Sequence, residues 1–203
     1  MNITKIAITG HSKGIGKKLY EHLSEQYQVI GFSRSNGYDI SKQEDVDRII
    51  NESLDCDVFI NNAYYYDQQT VIAKQWNDAH LDKEHFIINV STLASDPMFD
   101  VATKLPHLVP YAEEKHRLNK QTFDICDRLN GKCKAMSLLL GIVETGFENP
   151  YGIDPENLLE HYADFKKRGV LIDVADVANA VDAMLNSIKS NCFIYSVSLL
   201  NRF

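Results

Sequence analysis

The chain is short of the residues that mark several common protein classes. Its 203 residues include only five prolines, one tryptophan and four cysteines. The prolines are scattered, so there is no polyproline or other low-complexity tract. Cys56, Cys126, Cys133 and Cys192 show no CxxC spacing, which argues against a zinc ribbon or a disulfide framework and predicts reduced thiols. No HExxH pattern occurs, and His80 and His85 stand in the wrong helical phase to share a metal, so no metal site is expected. The longest apolar run, MSLLLGIV at 136–143, is too short to cross a bilayer. The opening MNITKIAITGHSKG reads as a strand and turn rather than a secretory signal, so the expected location is cytoplasmic, with no membrane partner. Basic residues are also in deficit. With 21 Lys and Arg against 28 Asp and Glu, the net charge is −7 and the pI about 5.5, which argues against a nucleic-acid partner.

What is present is an ordinary globular composition, 44% apolar and 24% charged, in a length that supports one sizeable core. A single domain over 1–203 is expected. KIAIT (5–9), QVIGFS (28–33), DVFIN (57–61), HFIINVS (85–91), KAMSLLLGIV (134–143) and CFIYSVSLL (192–200) read as strands. Apolar residues at helical spacing predict helices over 15–27, 43–54, 69–81, 111–129, 155–169 and 173–188, the last with Asp173 as N-cap. Nearly continuous apolar strands alternating with helices indicate an α/β fold: one Rossmann-like, doubly wound parallel sheet with helices on both faces.

Between the first strand and the first helix lies TGHSKGIG, residues 9–16. Gly10 can turn the chain sharply, while Gly14 and Gly16 let backbone approach a pyrophosphate and let helix pack on strand. The following helix would offer free N–H groups and its positive dipole end to phosphates. The plainer alternative is a tight turn that needs glycine only for its shape. Further along, VPYAEEKHRL (109–118) places Tyr111 and Lys115 four apart. Side chains at that spacing lie one above the other on a helix and can share a small site, although the spacing also arises without function.

The spacing TGxxxGxG resembles the short-chain dehydrogenase/reductase family, and further stretches match in order. NNAY (61–64) looks like the family's NNAG at the end of its fourth strand, INVSTLAS (88–95) like its IxNISSxxG segment, and YAEEK (111–115) like its YxxxK. GIVET (141–145) resembles its PGxVxT, and DVADVANAV (173–181) its late helix. The resemblance spans the chain. It implies an oxidoreductase in which Tyr111 exchanges a proton with a carbonyl or alcohol oxygen as hydride passes to or from nicotinamide. Lys115 would lower the tyrosine pKa and hold the nicotinamide ribose. Thr92 falls on the family's catalytic serine, with Ser91 beside it as the alternative.

The resemblance also implies a cofactor site built from Gly10, Ser12, Lys13, Gly14, Ile15 and Gly16, with His11 within reach of the phosphates. Asp39 and Ile40 would lie at the adenine, Asn62 and Ala63 along the adenosine half, and Thr145 near the carboxamide. Arg34 at the end of the second strand and Lys13 before Gly14 are cations where a 2′-phosphate would sit, which favours NADP(H) and leaves NAD(H) open.

The match is shortened in two places. Only SRSNGY separates the second strand from DIS, so the family's next helix is expected to be missing and its third strand vestigial or differently placed. The helix between NNAY and INVS is also short. Its Asn77 is a candidate for the family's proton-relay asparagine, whereas Asn89, on a strand, is not expected to substitute. That helix commonly helps form the family's dimer face, so oligomeric state is left open, a homo-oligomer included. Tyr64 stands where the family has glycine and Leu140 where it has proline, while Tyr64, Tyr65 and Tyr66 are candidates to line substrate access. The leading expectation is an enzyme that interconverts a carbonyl and a secondary alcohol on a small molecule. The alternatives are a catalytically weak dinucleotide-binding regulatory or scaffold protein and a nucleotide-sugar reductase or epimerase.

Overall fold

The computed structural model describes residues 2–80, 82–98, 100, 106–126, 132–145, 162–190 and 194–201. In chain order the elements are β1 (Lys5–Thr9), α1 (Gly14–Leu23), β2 (Gln28–Phe32), α2 (Gln43–Glu52), β3 (Val58–Asn61), α3 (Gln68–Ala79), β4 (His85–Thr92), α4 (Val109–Cys126), β5 (Cys133–Leu140), α5 (Val174–Lys189) and β6 (Ser196–Leu199). The strands form one sheet in the order β2-β1-β3-β4-β5-β6, and every neighbouring pair is parallel.

Strand periodicity of two sorts the core into halves. Ile6, Ile8, Phe86, Ile88 and Val90 pack on one face with Leu19 and Leu23 of α1 and Val177, Val181, Met184 and Leu185 of α5. Ala7, Phe59 and Ile87 face the other way, onto Val46, Ile49 and Ile50 of α2, Ile72 and Trp76 of α3 and Ile125 of α4. The sheet is therefore buried on both sides, as the continuous apolar strands require. Because β1 pairs with both β2 and β3, the winding direction reverses at β1. The crevice beyond the carboxyl ends of β1 and β3 is where doubly wound sheets hold ligands.

The shortening expected after the second strand is present, while several element bounds are corrected. Among the described residues no strand stands between β2 and α2, and none pairs with the outer side of β2. The chain makes a 3-10 turn at Arg34–Asn36, runs to α2 and re-enters the sheet beside β1. NNAY therefore begins at the last residue of β3 of this chain, and β2 is an edge strand. The stretch between Phe32 and Gln43 is too short for the dozen or more residues of a parallel crossover. β5 ends at Leu140 rather than 143, because Ile142 leaves the ladder: its N–H donates to Asn201 Oδ1 at 2.9 Å and its carbonyl accepts from Asn201 Nδ2 at 2.9 Å. β6 begins at Ser196, and residues 191–193 lie outside the described residues. Of the helix expected over 155–169, 162–167 is helical and the part before 162 lies outside the described residues.

Candidate active site

The glycine loop has the geometry its sequence suggested. Gly10 adopts φ +74, a conformation that L side chains avoid. A Cβ on Gly16 would lie 2.2 Å from the Gly10 carbonyl oxygen and 2.5 Å from Asn62 Nδ2, so no larger residue fits there. Asn62 braces the loop from β3: its Nδ2 donates to the Thr9 carbonyl at 3.0 Å, and the N–H groups of Asn62 and Ala63 both donate to Thr9 Oγ1 at 3.0 Å. Lys13 is the α1 N-cap in extended conformation, with no side-chain cap bond and no acidic residue in the first turn. The positive end of α1 thus opens at the crevice, and Ile15 behind it packs against the core.

The other predicted cofactor residues fall on the loop itself, on the segment after β2 and on the segment after β5. Gly10 N–H donates to the Phe32 carbonyl at 2.7 Å, which ties the loop to the end of β2 two residues before Arg34. Arg34 and Lys13 are exposed, and Ser12 is half-buried in the turn. The Asp39 carboxylate accepts from the Ser41 N–H at 3.0 Å. That bond, then the Ser41 hydroxyl, and more weakly Arg34 and Lys42, hold its pKa below the ordinary aspartate value. Ile40 is buried in the core next to it. Thr145 comes close to the loop from the far side: a Cβ on Gly14 would lie 3.6 Å from Thr145 Cβ. His11 packs across the sheet edge. Its ring lies against Gly31, where a Cβ would fall 2.3 Å from it, and 5.0 Å from the Tyr20 ring.

Tyr111 and Lys115 share one face of α4 but differ in burial. Tyr111 is half-buried, its ring edge-on to Tyr64 at 5.1 Å. Lys115 is 4% exposed. Its Nζ stands 5.6 Å from the Tyr111 ring centroid and 5.4 Å from that of Tyr64, and it donates to Gln69 Oε1 at 2.5 Å and to the Val90 carbonyl at 2.7 Å. Burial pushes the Lys115 ammonium down to about 7, against a smaller opposing pull from Glu114. The Tyr64 hydroxyl donates to the Glu114 carboxylate. Tyr65 and Tyr66 are exposed, and Tyr66 carries φ +44.

The two hydroxyls at the end of β4 divide by strand alternation. Ser91 is buried, with its Oγ 3.4 Å from Ser95 Oγ, while Thr92 is half-buried at the strand terminus. Thr92 Oγ1 donates to the Leu140 carbonyl and accepts from the Ala94 N–H, both at 3.3 Å, capping the 3-10 turn Leu93–Ser95.

Asn77 is buried but two helical turns beyond Gln69, where its Nδ2 donates to Asp78 Oδ1 at 3.4 Å. It does not lie at Lys115; Gln69 does. Sequence reasoning missed Gln69, although a signal was there. It precedes Ile72, Ala73 and Trp76 at the spacing of the buried stripe, a polar residue in an apolar phase. Asn201 was missed as well. Besides its two bonds to Ile142, its Nδ2 donates to the Val170 carbonyl at 3.0 Å and so ties Ile142, three residues before Thr145, to Val170.

The described cysteines are free thiols. Burial pushes Cys56 up to about 12, so it packs rather than attacks. Among the described residues, no group of three His, Cys, Asp or Glu is placed to hold a metal, and no helix is long and apolar enough to cross a membrane.

No protein-family model and no curated protein matches the chain. Solved structures do. A short-chain dehydrogenase from Burkholderia cenocepacia in complex with NADP is 19% identical, with TM-score 0.71 over 98% of this chain and 90% of that one. The 3-alpha-hydroxysteroid dehydrogenase from Pseudomonas sp. complexed with NADH is 18% identical, with TM-score 0.70 over 96% of this chain and 95% of that one. A Caenorhabditis elegans short-chain dehydrogenase/reductase of unknown function, with cofactor, is 18% identical, with TM-score 0.74 over 96% and 93%. With its parallel sheet, its glycine turn at the switch point and these neighbours, the chain has the fold of the short-chain dehydrogenases/reductases.

Proposed function

We propose that the chain is a shortened short-chain dehydrogenase/reductase that binds a nicotinamide dinucleotide, NADP(H) in preference to NAD(H), in the crevice beyond β1 and β3. It would interconvert a carbonyl and a secondary alcohol on a small molecule. The observation that carries this reading is a glycine turn that leaves no room for a Cβ at Gly10 and Gly16, together with a buried lysine 5.6 Å from the Tyr111 ring. The residues present fit the cofactor: the uncapped α1 terminus and the loop amides suit a pyrophosphate, and Arg34 and Lys13 suit a 2′-phosphate.

When bound, the nicotinamide supplies or accepts hydride. The protein supplies the proton. Tyr111 would give one to the carbonyl oxygen during reduction and take one from the alcohol during oxidation. A free tyrosine titrates near 10, poorly matched to neutral pH. The Lys115 ammonium favours the phenolate electrostatically, and Thr92, or Ser91 in its place, would orient the substrate oxygen by hydrogen bonding.

A second reading keeps the cofactor and gives up efficient turnover. It draws support from the missing strand beyond β2 and from Thr92, whose hydroxyl is engaged by Leu140 and Ala94.

The test is fluorescence titration of the purified protein with NADPH and with NADH, repeated on Arg34→Ala. The expected result is tighter NADPH binding that weakens by about tenfold in the variant, on the scale of one lost charge-assisted contact. Binding of neither dinucleotide would overturn the proposal. NADPH binding without turnover of any carbonyl in a broad panel would leave the second reading.

A further inference from the structure

We propose that Gln69 is the positioning residue of the Tyr111–Lys115 pair: its side-chain oxygen fixes the lysine nitrogen beneath the two tyrosine rings through a buried chain of amides. The inference rests on the catalytic reading of that pair, and nothing in the family resemblance points to this glutamine.

Gln69 is 2% exposed, on the first turn of α3, while Asn61, Asn89 and Thr122 are each 0% exposed. Their hydrogen bonds form one connected network, in which Gln69 and Asn61 bond reciprocally. Lys115 Nζ donates to Gln69 Oε1 at 2.5 Å, and Gln69 Nε2 donates to the Asn61 carbonyl at 2.7 Å. Asn61 Nδ2 donates to the Gln69 carbonyl at 2.8 Å and to Asn89 Oδ1 at 2.9 Å. Asn89 Nδ2 donates to Thr122 Oγ1 at 3.0 Å, and that hydroxyl donates to the Leu118 carbonyl at 2.9 Å. The chain thus links α3, β3, β4 and α4. Asn61 and Asn89 are direct partners in the β3–β4 register, so the sheet itself aligns them.

The direction of donation fixes the amide. With Gln69 Nε2 committed to the Asn61 carbonyl, only the oxygen can face Lys115. A neutral acceptor suits the task, because a buried carboxylate here would pair with the ammonium and cancel the charge that acts on Tyr111. Other titratable groups lie on the elements around Lys115: Tyr64 after β3, Tyr111 and Glu114 on its own helix, and His107 in the turn before α4. Asp67 at the head of α3 forms a bidentate pair with Arg117, at 3.0 and 3.1 Å. β4 contributes the Val90 carbonyl. Burial already holds Lys115 at about 7, so a change in one acceptor moves its charge state within the physiological range.

The experiment is NMR of the intact protein carrying lysine labelled with 13C at Cε, titrated from acid to alkaline pH. Lys115→Met identifies the Lys115 signal. Gln69→Glu is expected to raise the Lys115 midpoint by more than about one pH unit, and Gln69→Met, which keeps the volume but removes the acceptor, to lower it by about one unit. A residue that only fills space would change melting temperature without moving this midpoint. The two variants perturb packing differently, so either one, if folded, decides the matter. A midpoint unchanged in the folded variant overturns the proposal, whatever the protein binds. A midpoint that moves supports the positioning of Lys115 even where the dinucleotide titration fails, and in that case the functional reading falls.

Discussion

Tyr111 and Lys115 show how one helical spacing produces two environments. One side chain is half-buried, and the other is drawn inward onto Gln69 and Val90. Exchange of Tyr111 for phenylalanine removes the proton but keeps the ring and its edge-on contact with Tyr64 at 5.1 Å. Tyr111→Phe is therefore expected to lower turnover by at least about 100-fold, while dinucleotide affinity stays near wild type. Steady-state rates on a carbonyl substrate, together with fluorescence titration of the cofactor, check this. Loss of binding along with activity would show that the phenol serves the cofactor site and not the proton transfer.

Among the helices, α1 and α5 are neighbours on one face of the sheet, joined by His22 and Asp182 at 2.6 Å, yet their first turns are built oppositely. α5 is closed by Asp173, whose side chain accepts from the Ala175 N–H at 2.8 Å, and Asp176 adds negative charge to the same turn. α1 has neither device and leaves its amides to the crevice. One helix start carries a side-chain cap and an acidic first turn, and the other carries neither. Asp173→Ala should cost about 1 kcal/mol, and melting temperature should fall by a few degrees, on the order of 2–4 °C for a chain of this size. Dinucleotide binding should be unaffected. An unchanged melting temperature would show that packing of Val177, Val181 and Met184 alone holds the helix.

For the molecule as a whole, the packing behind α3 sets a limit in acid. His85 is fully buried, edge-on to Trp76 at 5.2 Å and beside His80, and its Nδ1 lies 2.8 Å from the Lys83 carbonyl. Burial holds its pKa down at about 4, against 6.5 when exposed, and burial lowers His80 in the same direction. Between those two values the unfolded chain binds a proton that the folded chain refuses. Stability is therefore complete above about 6.5 and declines as pH falls toward 4, by at most about 3 kcal/mol for this group. Urea midpoints measured from neutral pH to pH 4 should show the decline, and His85→Phe should flatten it. A wild-type curve flat across this window would mean that the imidazole is reached by water.

The sequence by itself determined the alternation of strands and helices, the glycine turn and the pairing of Tyr111 with Lys115, because each depends on local periodicity or on close neighbours in the chain. It also held the loss of the unit after β2, since six residues are too few to cross a sheet. Tertiary structure alone decided what those residues meet. That β3 would lie against β1, that Gln69 and not Asn77 would reach Lys115, and that His11 would turn onto Gly31 are outcomes of helices docking on a sheet. Asn61 and Asn89 stand far apart in sequence and become partners only when β3 and β4 pair. Local propensity fixes where an element begins and which face is apolar. Which polar side chain is carried into the core, and what it must bond to there, is fixed by contacts between segments that the chain does not hold together.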